Sequence, residues 1–388
     1  MLTTVPHNRG DRNRNLRVLH LLRAPVGGLF RHVCDLAREQ CARDLNVGIV
    51  CDSSTGTAFT DSALGSLADV CKLGIHRVPM RRKPGPADWS VARAINRIAS
   101  GVSPNILHGH GAKGAAYARL LASRLRAKAI YTPHGGSLHF SYATLSGGLY
   151  LTLERLLKRR TDACIFESEF ALKSYLDNVG PIDCPYRVIH NGLQESEFAE
   201  LPSQAATYDF VFIGELRTLK GIYTFLDAIS EVARLQNLSI LIVGQGDQES
   251  SVRSRVAELD LAESVKMSPS IHPASKVFAS AGCVVAPSFA ESFPYIVLEC
   301  LAAGVPLLTT SVGGIPEIFG PFSDQLLPPG DPHALADAMR AVLRDLEGAK
   351  EKSAALQSHV RERFLVTQMV DDINNLYREL LGMPAQKL

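Results

Sequence analysis

Residues 208–235 read YDFVFIGELRTLKGIYTFLDAISEVARL, and this stretch decides the fold. YDFVFIGEL is an apolar, β-favouring run, RTLKG is a turn, and IYTFLDAISEVARL repeats its apolar residues at helical spacing. Strand, turn and helix in that order open a βαβ unit. The same order occurs earlier in the chain. LRVLHLL (16–22) is a strand, APVGGLF a glycine turn, and a helix is predicted from about Phe30 to Arg43. VGIVCD (47–52), NILHGH (105–110) and AIYTPHGG (129–136) are later strands, separated by helical patterns. After residue 235, LSILIVGQG, CVVAP and VPLLTT continue the second series. Such alternation builds parallel sheets with helices on their faces. The expectation is an α/β chain of two doubly wound domains whose ligand crevices face one interdomain cleft.

The proposed boundaries follow from loss of pattern. Residues 1–15 are polar, lack the apolar segment of a secretory signal, and read as a disordered lead. The first domain spans 16–194 and the second 195–363, parted near HNGLQESEFAELPSQAATYD. Residues 364–388 form a C-terminal helix placed to pack across either domain, the first being favoured.

At 388 residues the chain exceeds one ordinary core, and its 46% hydrophobic and 21% charged residues suit a soluble globular protein. No apolar run reaches the roughly 18 residues of a membrane span. Eight scattered cysteines without CxxC spacing predict buried free thiols in a reducing cytoplasm. Net charge is +2, but residues 1–194 carry 26 Lys and Arg against 14 Asp and Glu, while residues 195–388 carry 15 against 25. A basic first half predicts an anionic partner: a phosphate-bearing substrate or an acidic membrane surface. No aromatic-interleaved basic motif supports nucleic acid. The clusters MRRKPG (80–85), ARLLASRLRAK (118–128) and ERLLKRR (154–160) are either solvated faces or docking sites for anionic lipid.

FAESFPYIVLEC (289–300) carries two glutamates eight positions apart. Pro294 suits a first helical turn, which places Glu291 in the preceding loop and Glu299 in an apolar, buried helix. A buried carboxylate needs a partner, and a ribose diol supplies two hydrogen bonds. The amides of Ser292 and Phe293, at a helix N-terminus, suit phosphate. Lys220, between Gly214 and Gly221, suits it too. His110 and His134 end strands where α/β sheets bind ligands; each is read as a structural histidine or as lining the site. His108 is expected to point to the opposite face and to be structural. The alternative readings are an ion pair for Glu299, a helix-terminal charge for Glu291, and a solvated turn residue for Lys220.

ESFPYIVLE resembles the E-x7-E motif of retaining glycosyltransferases of the GT-B fold, and the chain is similar to glycosyltransferase family 4. LHLLRAPVGGLFRHVCDLAREQ, ILHGHGAKG, IYTPHGG, VIHNGL, FIGELRTLKGIYTFLDAI, LIVGQGDQ and AAGVPLLTTSVGGIPEI resemble further family segments in the family's order. The resemblance implies two Rossmann-like domains, an N-terminal one for the acceptor and a C-terminal one for a nucleotide-sugar donor. It implies hexosyl transfer with retention from a nucleoside-diphosphate sugar, UDP or GDP ahead of ADP, to a glycan or lipid-phosphate-linked acceptor. Cell-surface polysaccharide or glycolipid synthesis at the inner face of the cytoplasmic membrane would fit. No cofactor and no metal are implied. His110, Glu291, Arg217 and Lys220 would be catalytic. Gly27, Gly28, Gly214, Gly246, Ser292, Phe293, Pro294 and Glu299 would bind the donor, with His134 and Lys113 on the acceptor side. The chain departs from the family pattern at Glu215, where the family has Arg, and Arg217 is expected to take over. Glu317 is read as a first-turn acid of the next helix. A catalytically inactive nucleotide-sugar-binding protein is the alternative. A nicotinamide oxidoreductase is disfavoured, because neither APVGGLF nor VGQGDQES supplies G-x-G-x-x-G.

Overall fold

The computed structural model describes residues 16–135, 144–199, 201 and 206–384, so the lead at 1–15 lies outside the described residues. The chain divides into two compact units. The first comprises the chain up to Glu167, Ala171–His190 and the segment from Val366 onward; the second comprises Ser168–Phe170 and Asn191–Leu365. These divisions fall at 190/191 and 365/366, against 194/195 and 363/364 in the sequence reading.

The first unit holds seven parallel strands: β1 Arg17–Leu22, β2 Asn46–Asp52, β3 Gly74–Val78, β4 Ile106–His110, β5 Lys128–Thr132, β6 Ala163–Phe166 and β7 Tyr186–Val188. Their order is β3-β2-β1-β4-β5-β6-β7. The second unit holds β8 Tyr208–Ile213, β9 Ile240–Val243, β10 Val265–Ser268, β11 Ala281–Ala286 and β12 Leu307–Thr309. Their order is β10-β9-β8-β11-β12, again parallel. Each sheet starts in its centre and reverses direction once, at β1/β4 and at β8/β11. Central strands are covered on both faces, which is why LRVLHLL is a continuous apolar run rather than an alternation.

The first helix covers Gly27–Ala42 and begins earlier than expected, directly at the glycine pair. The C-terminal helix Val366–Leu380 lies against it. Met369, Val370, Ile373, Leu376 and Tyr377 join Phe30, Val33 and Ala37 in one core of the first unit. A second correction concerns ARLLASRLRAK. Arg119 is no surface cation: it is 1% exposed, and its Nη1 donates to Glu154 Oε2 at 2.7 Å. Its guanidinium also stacks 4.4 Å above the Tyr131 ring. The helical period turns Arg119 inward while Arg124 and Arg126 stay at the surface. All eight cysteines are free, six of them buried. No helix of the described residues is long and apolar enough to cross a membrane.

Candidate functional site

In the second unit the loop after β11, residues 287–294, carries Glu291 beyond the switch point of the sheet. Its carboxylate Oε1 accepts from Lys220 Nζ at 2.5 Å and from Ser288 Oγ at 2.8 Å. Both charged side chains are largely enclosed, at 20% and 11% exposure, so the pair is stronger than a surface contact. The loop backbone is clamped from several sides. Phe289 N donates to Leu219 O at 2.9 Å, and Thr310 Oγ1 donates to Ser288 O at 2.6 Å. Gly314 N donates to Ser292 O at 2.8 Å, and Asn191 Nδ2 donates to Phe293 O at 2.9 Å. Close approach of backbones explains the neighbouring glycines. A Cβ on Gly221 would stand 1.8 Å from Pro287 O, and one on Gly313 would stand 1.6 Å from Glu291 O. Gly244 and Gly246 press on Gly214 O and Leu216 O in the same way, so Gly214 and Gly246 shape the turns above β8 and β9.

The helix after the loop is Tyr295–Ala302, with Pro294 as its extended N-cap rather than a residue of its first turn. Ser292 and Phe293 stand just before it. Phe293, Tyr295, Val297, Leu298 and Leu301 are buried in a core with Val312 and Ile315. Glu299 is on the same helix but only half-buried, not enclosed as expected, because its position falls at the edge of that apolar face. Arg217 is about half exposed and its Nε lies 3.1 Å from Glu215 Oε2, so the two residues that depart from the family pattern pair with each other. Glu317 is a first-turn acid as read, and its carboxylate also accepts from the amides of Glu169 and Phe170 at 2.8 and 2.9 Å.

In the first unit, Gly27 has φ +67° and open space around its Cβ position, with Gly28 beside it at the start of the helix. Lys113 is tied down: its Nζ donates to Arg81 O and Lys83 O and pairs with Asp88 at 2.8 Å. The histidines gather at the ends of β1, β4 and β5. His110 ends β4 and is 1% exposed; His134 follows β5 in a turn, with φ +52°. A non-glycine residue in this region is uncommon and is held there by its surroundings. His110 Nδ1 and His134 Nε2 are 3.0 Å apart, and His110 Nε2 and His20 Nδ1 are 3.0 Å apart. His108 does not face away from His110. Their rings are 3.9 Å apart, as two residues on one strand two positions apart must share a face. Burial holds all four imidazoles neutral, His20 down to about 4 and the others well below the usual value, with neighbouring imidazoles adding to the effect at His108, His110 and His134.

Sequence reading did not single out His20, Gln40, Asn191, Ser288, Thr310 and Gly313. The glycine pair in TSVGGIPEI was the one available signal, since paired glycines mark close backbone approach. The rest act through partners distant in the chain.

Two parallel doubly wound units, the second with a clamped E-x7-E loop beyond its switch point, define a GT-B glycosyltransferase. Residues 26–197 match the family described as Glycosyltransferase Family 4, and residues 207–345 match Glycosyl transferases group 1. The chain belongs to the family 4 type of GT-B enzymes, sugar transferases of the EC 2.4 class. It is 24% identical over 369 residues to a glycogen synthase of Mycobacterium tuberculosis, covering 87% of this chain and 88% of that one. Over 309 residues it is 23% identical to the N-acetyl-alpha-D-glucosaminyl L-malate synthase of Bacillus anthracis, covering 76% and 80%. Among solved structures, Anabaena HepE in complex with UDP and glucose superposes with a TM-score of 0.79 at 17% identity, covering 94% of this chain and all of that one.

Proposed function

We propose that this protein transfers a hexosyl group from a nucleoside-diphosphate sugar to a glycan or lipid-linked acceptor, with retention at the anomeric carbon. The observation that carries the reading is the clamped loop. It holds Glu291 and Lys220 together beyond the β8/β11 switch point and leads directly into the helix that bears Glu299. In this reading Glu299 holds the donor ribose, Glu291 a hydroxyl of the donor sugar, and Lys220 and Arg217 the diphosphate. Ser292, Phe293, Pro294 and the turns at Gly214 and Gly246 shape the donor pocket. In the first unit Gly27 and Gly28 give a diphosphate room to approach, His134 and Lys113 lie on the acceptor side, and His110, buried with both ring nitrogens bonded, serves the reacting sugar through His134. Charge developing on the departing diphosphate is neutralised by side chains, so no metal is required. UDP is the first donor nucleotide to test, because HepE was solved with UDP and glucose.

The testing experiment is calorimetric titration of UDP, GDP and ADP into the wild type and Glu299→Ala, each with and without EDTA. One diphosphate should bind, indifferent to EDTA, and binding should be lost in the variant. A folded wild type that binds none of the three refutes the donor site, and wild-type affinity in the variant refutes the role of Glu299.

A peripheral membrane contact is part of the proposal. Leu149, Leu153 and Leu156 are exposed at helical spacing on the Leu145–Leu157 helix, with Arg159 and Arg160 exposed beyond its end. Apolar residues beside cations suit an anionic bilayer surface. Co-sedimentation with phosphatidylglycerol vesicles but not phosphatidylcholine vesicles is expected; sedimentation with neither counts against the contact.

A further inference from the structure

The histidine cluster of the first unit contains a hydrogen-bond chain with a direction. Gln40, on the first helix and fully buried, is its organising group. Its Nε2 donates to Asn374 Oδ1, on the C-terminal helix, at 2.9 Å. With its amide nitrogen so committed, Gln40 Oε1 is the atom that meets His20 Nε2 at 2.9 Å. A carbonyl oxygen only accepts, so His20 carries its proton on Nε2 and its Nδ1 is a bare acceptor. His110 Nε2 must then donate to His20 Nδ1, which leaves His110 Nδ1 to accept from His134 Nε2. A second branch runs beside it: His108 Nδ1 meets the Tyr377 hydroxyl at 2.6 Å, and His108 Nε2 meets Thr132 Oγ1 at 2.8 Å.

His20, His110 and His134 are therefore protonated on Nε2. The chain of bonds ends at His134, whose Nδ1 is left bare and has no hydrogen-bond partner among the described residues. His134 is also the one member of the three that is not fully enclosed, and it stands in a left-handed turn at the C-terminal end of the sheet. We propose that Gln40, oriented by Asn374, is a positioning residue that sets these tautomers, so that His134 offers an unprotonated Nδ1 to a substrate hydroxyl. This rests on the transferase reading for the substrate, and on the network alone for the tautomers. The C-terminal helix thereby acquires a role beyond packing, because its Asn374 decides through Gln40 which nitrogen a histidine far away in sequence presents.

The same rings invite a competing reading, since His20, His108 and His110, and also His32, His110 and His134, bring three ring nitrogens close enough to hold a metal ion. Both ring nitrogens of His110, common to the two groups, are already engaged in the bonds above, so an ion in either would have to break the network.

The test combines nitrogen NMR of the full chain, 15N-labelled on histidine, with steady-state kinetics. His20, His110 and His134 should show the Nε2-protonated tautomer near pH 7.5. Gln40→Met, close in volume, should mix the tautomers of His20, His110 and His134 and lower kcat by about 10- to 100-fold with donor KM unchanged. Asn374→Leu should do the same from the other side of the amide, while Asn374→Asp, which keeps the acceptor oxygen, should retain the wild-type tautomers and kcat. An Nδ1-protonated His134 in the wild type overturns the proposal. So do altered tautomers with unchanged kcat in Gln40→Met, and stoichiometric Zn(II) binding that abolishes the Nε2–H signals. The spectra are read without turnover, so failure of the transferase reading and failure of this one are distinguishable.

Discussion

Replacing Gly313 by alanine tests how the proposed donor loop is held. Gly313 has φ +58°, a left-handed conformation that costs a residue with a Cβ about 1–2 kcal/mol. The new methyl carbon would start 1.6 Å from the Glu291 carbonyl oxygen, which has to retreat by about 1.4 Å to reach the 3.0 Å floor of real Cβ contacts. The loop has little freedom to do so. Its residues are fixed by Lys220 on Glu291, by Thr310 on Ser288, by Gly314 on Ser292 and by Asn191 on Phe293. Overpacking adds about 1–3 kcal/mol, so the variant should lose roughly 2–5 kcal/mol of stability. A catalytic side chain displaced by about 1 Å loses on the order of 100-fold in turnover. The assays are urea denaturation and kcat with the donor identified by calorimetry. Wild-type kcat in a Gly313→Ala protein would refute the claim that this backbone contact positions Glu291. Gly27→Ala is the contrast. No atom lies within 4 Å of its Cβ position, so only the backbone penalty of about 1–2 kcal/mol applies. A marked loss of donor affinity in that variant would then report a ligand, not the fold.

Two further predictions concern stability. Glu154→Leu strands the buried Arg119 cation and should cost about 3–5 kcal/mol, whereas Arg119→Met with Glu154→Leu should lie near wild type; chemical denaturation of the full cycle checks this, and a double variant as unstable as the single would sink it. Acid should destabilise the first unit. Between about pH 6.5 and pH 4 the native state holds His20 neutral by burial while the unfolded chain protonates it, so the unfolded state binds more protons and stability falls as pH falls. His20 alone contributes on the order of 3 kcal/mol across that window, and His108, His110 and His134 act in the same direction. Asp52 follows at lower pH: burial pushes its carboxyl up, but donation from Met80 N, Ser54 and Thr55 outweighs it, so that contribution disappears only as the carboxylate protonates. A urea midpoint that does not change between pH 7 and pH 5 would refute the histidine argument.

Much of this protein is legible in the chain order of its residues, because strand propensity, helical period and glycine turns are local properties. YDFVFIGEL and LRVLHLL announce two parallel sheets, and ESFPYIVLE announces the loop and helix beyond β11. The strands that sequence reading passed over are short or marginal: GIHRV, VKMS and YRV lie at sheet edges, where burial does not impose an apolar run, and ACIF has only four residues. Burial of single charges was equally out of reach. Arg119 and Glu299 sit in similar apolar helical surroundings in the sequence, yet one is enclosed and the other lies at a rim, since rotation of a helix against its sheet decides which residue faces in. The histidine tautomers depend on contacts between residues 90 and 334 positions apart, such as His20 with His110 and Gln40 with Asn374. Local pattern determined the elements and their order, but those encounters exist only once β1 and β4 are neighbours and the C-terminal helix has returned to the first unit. Tertiary structure decided them, because a hydrogen bond depends on distance in space and carries no trace in sequence spacing.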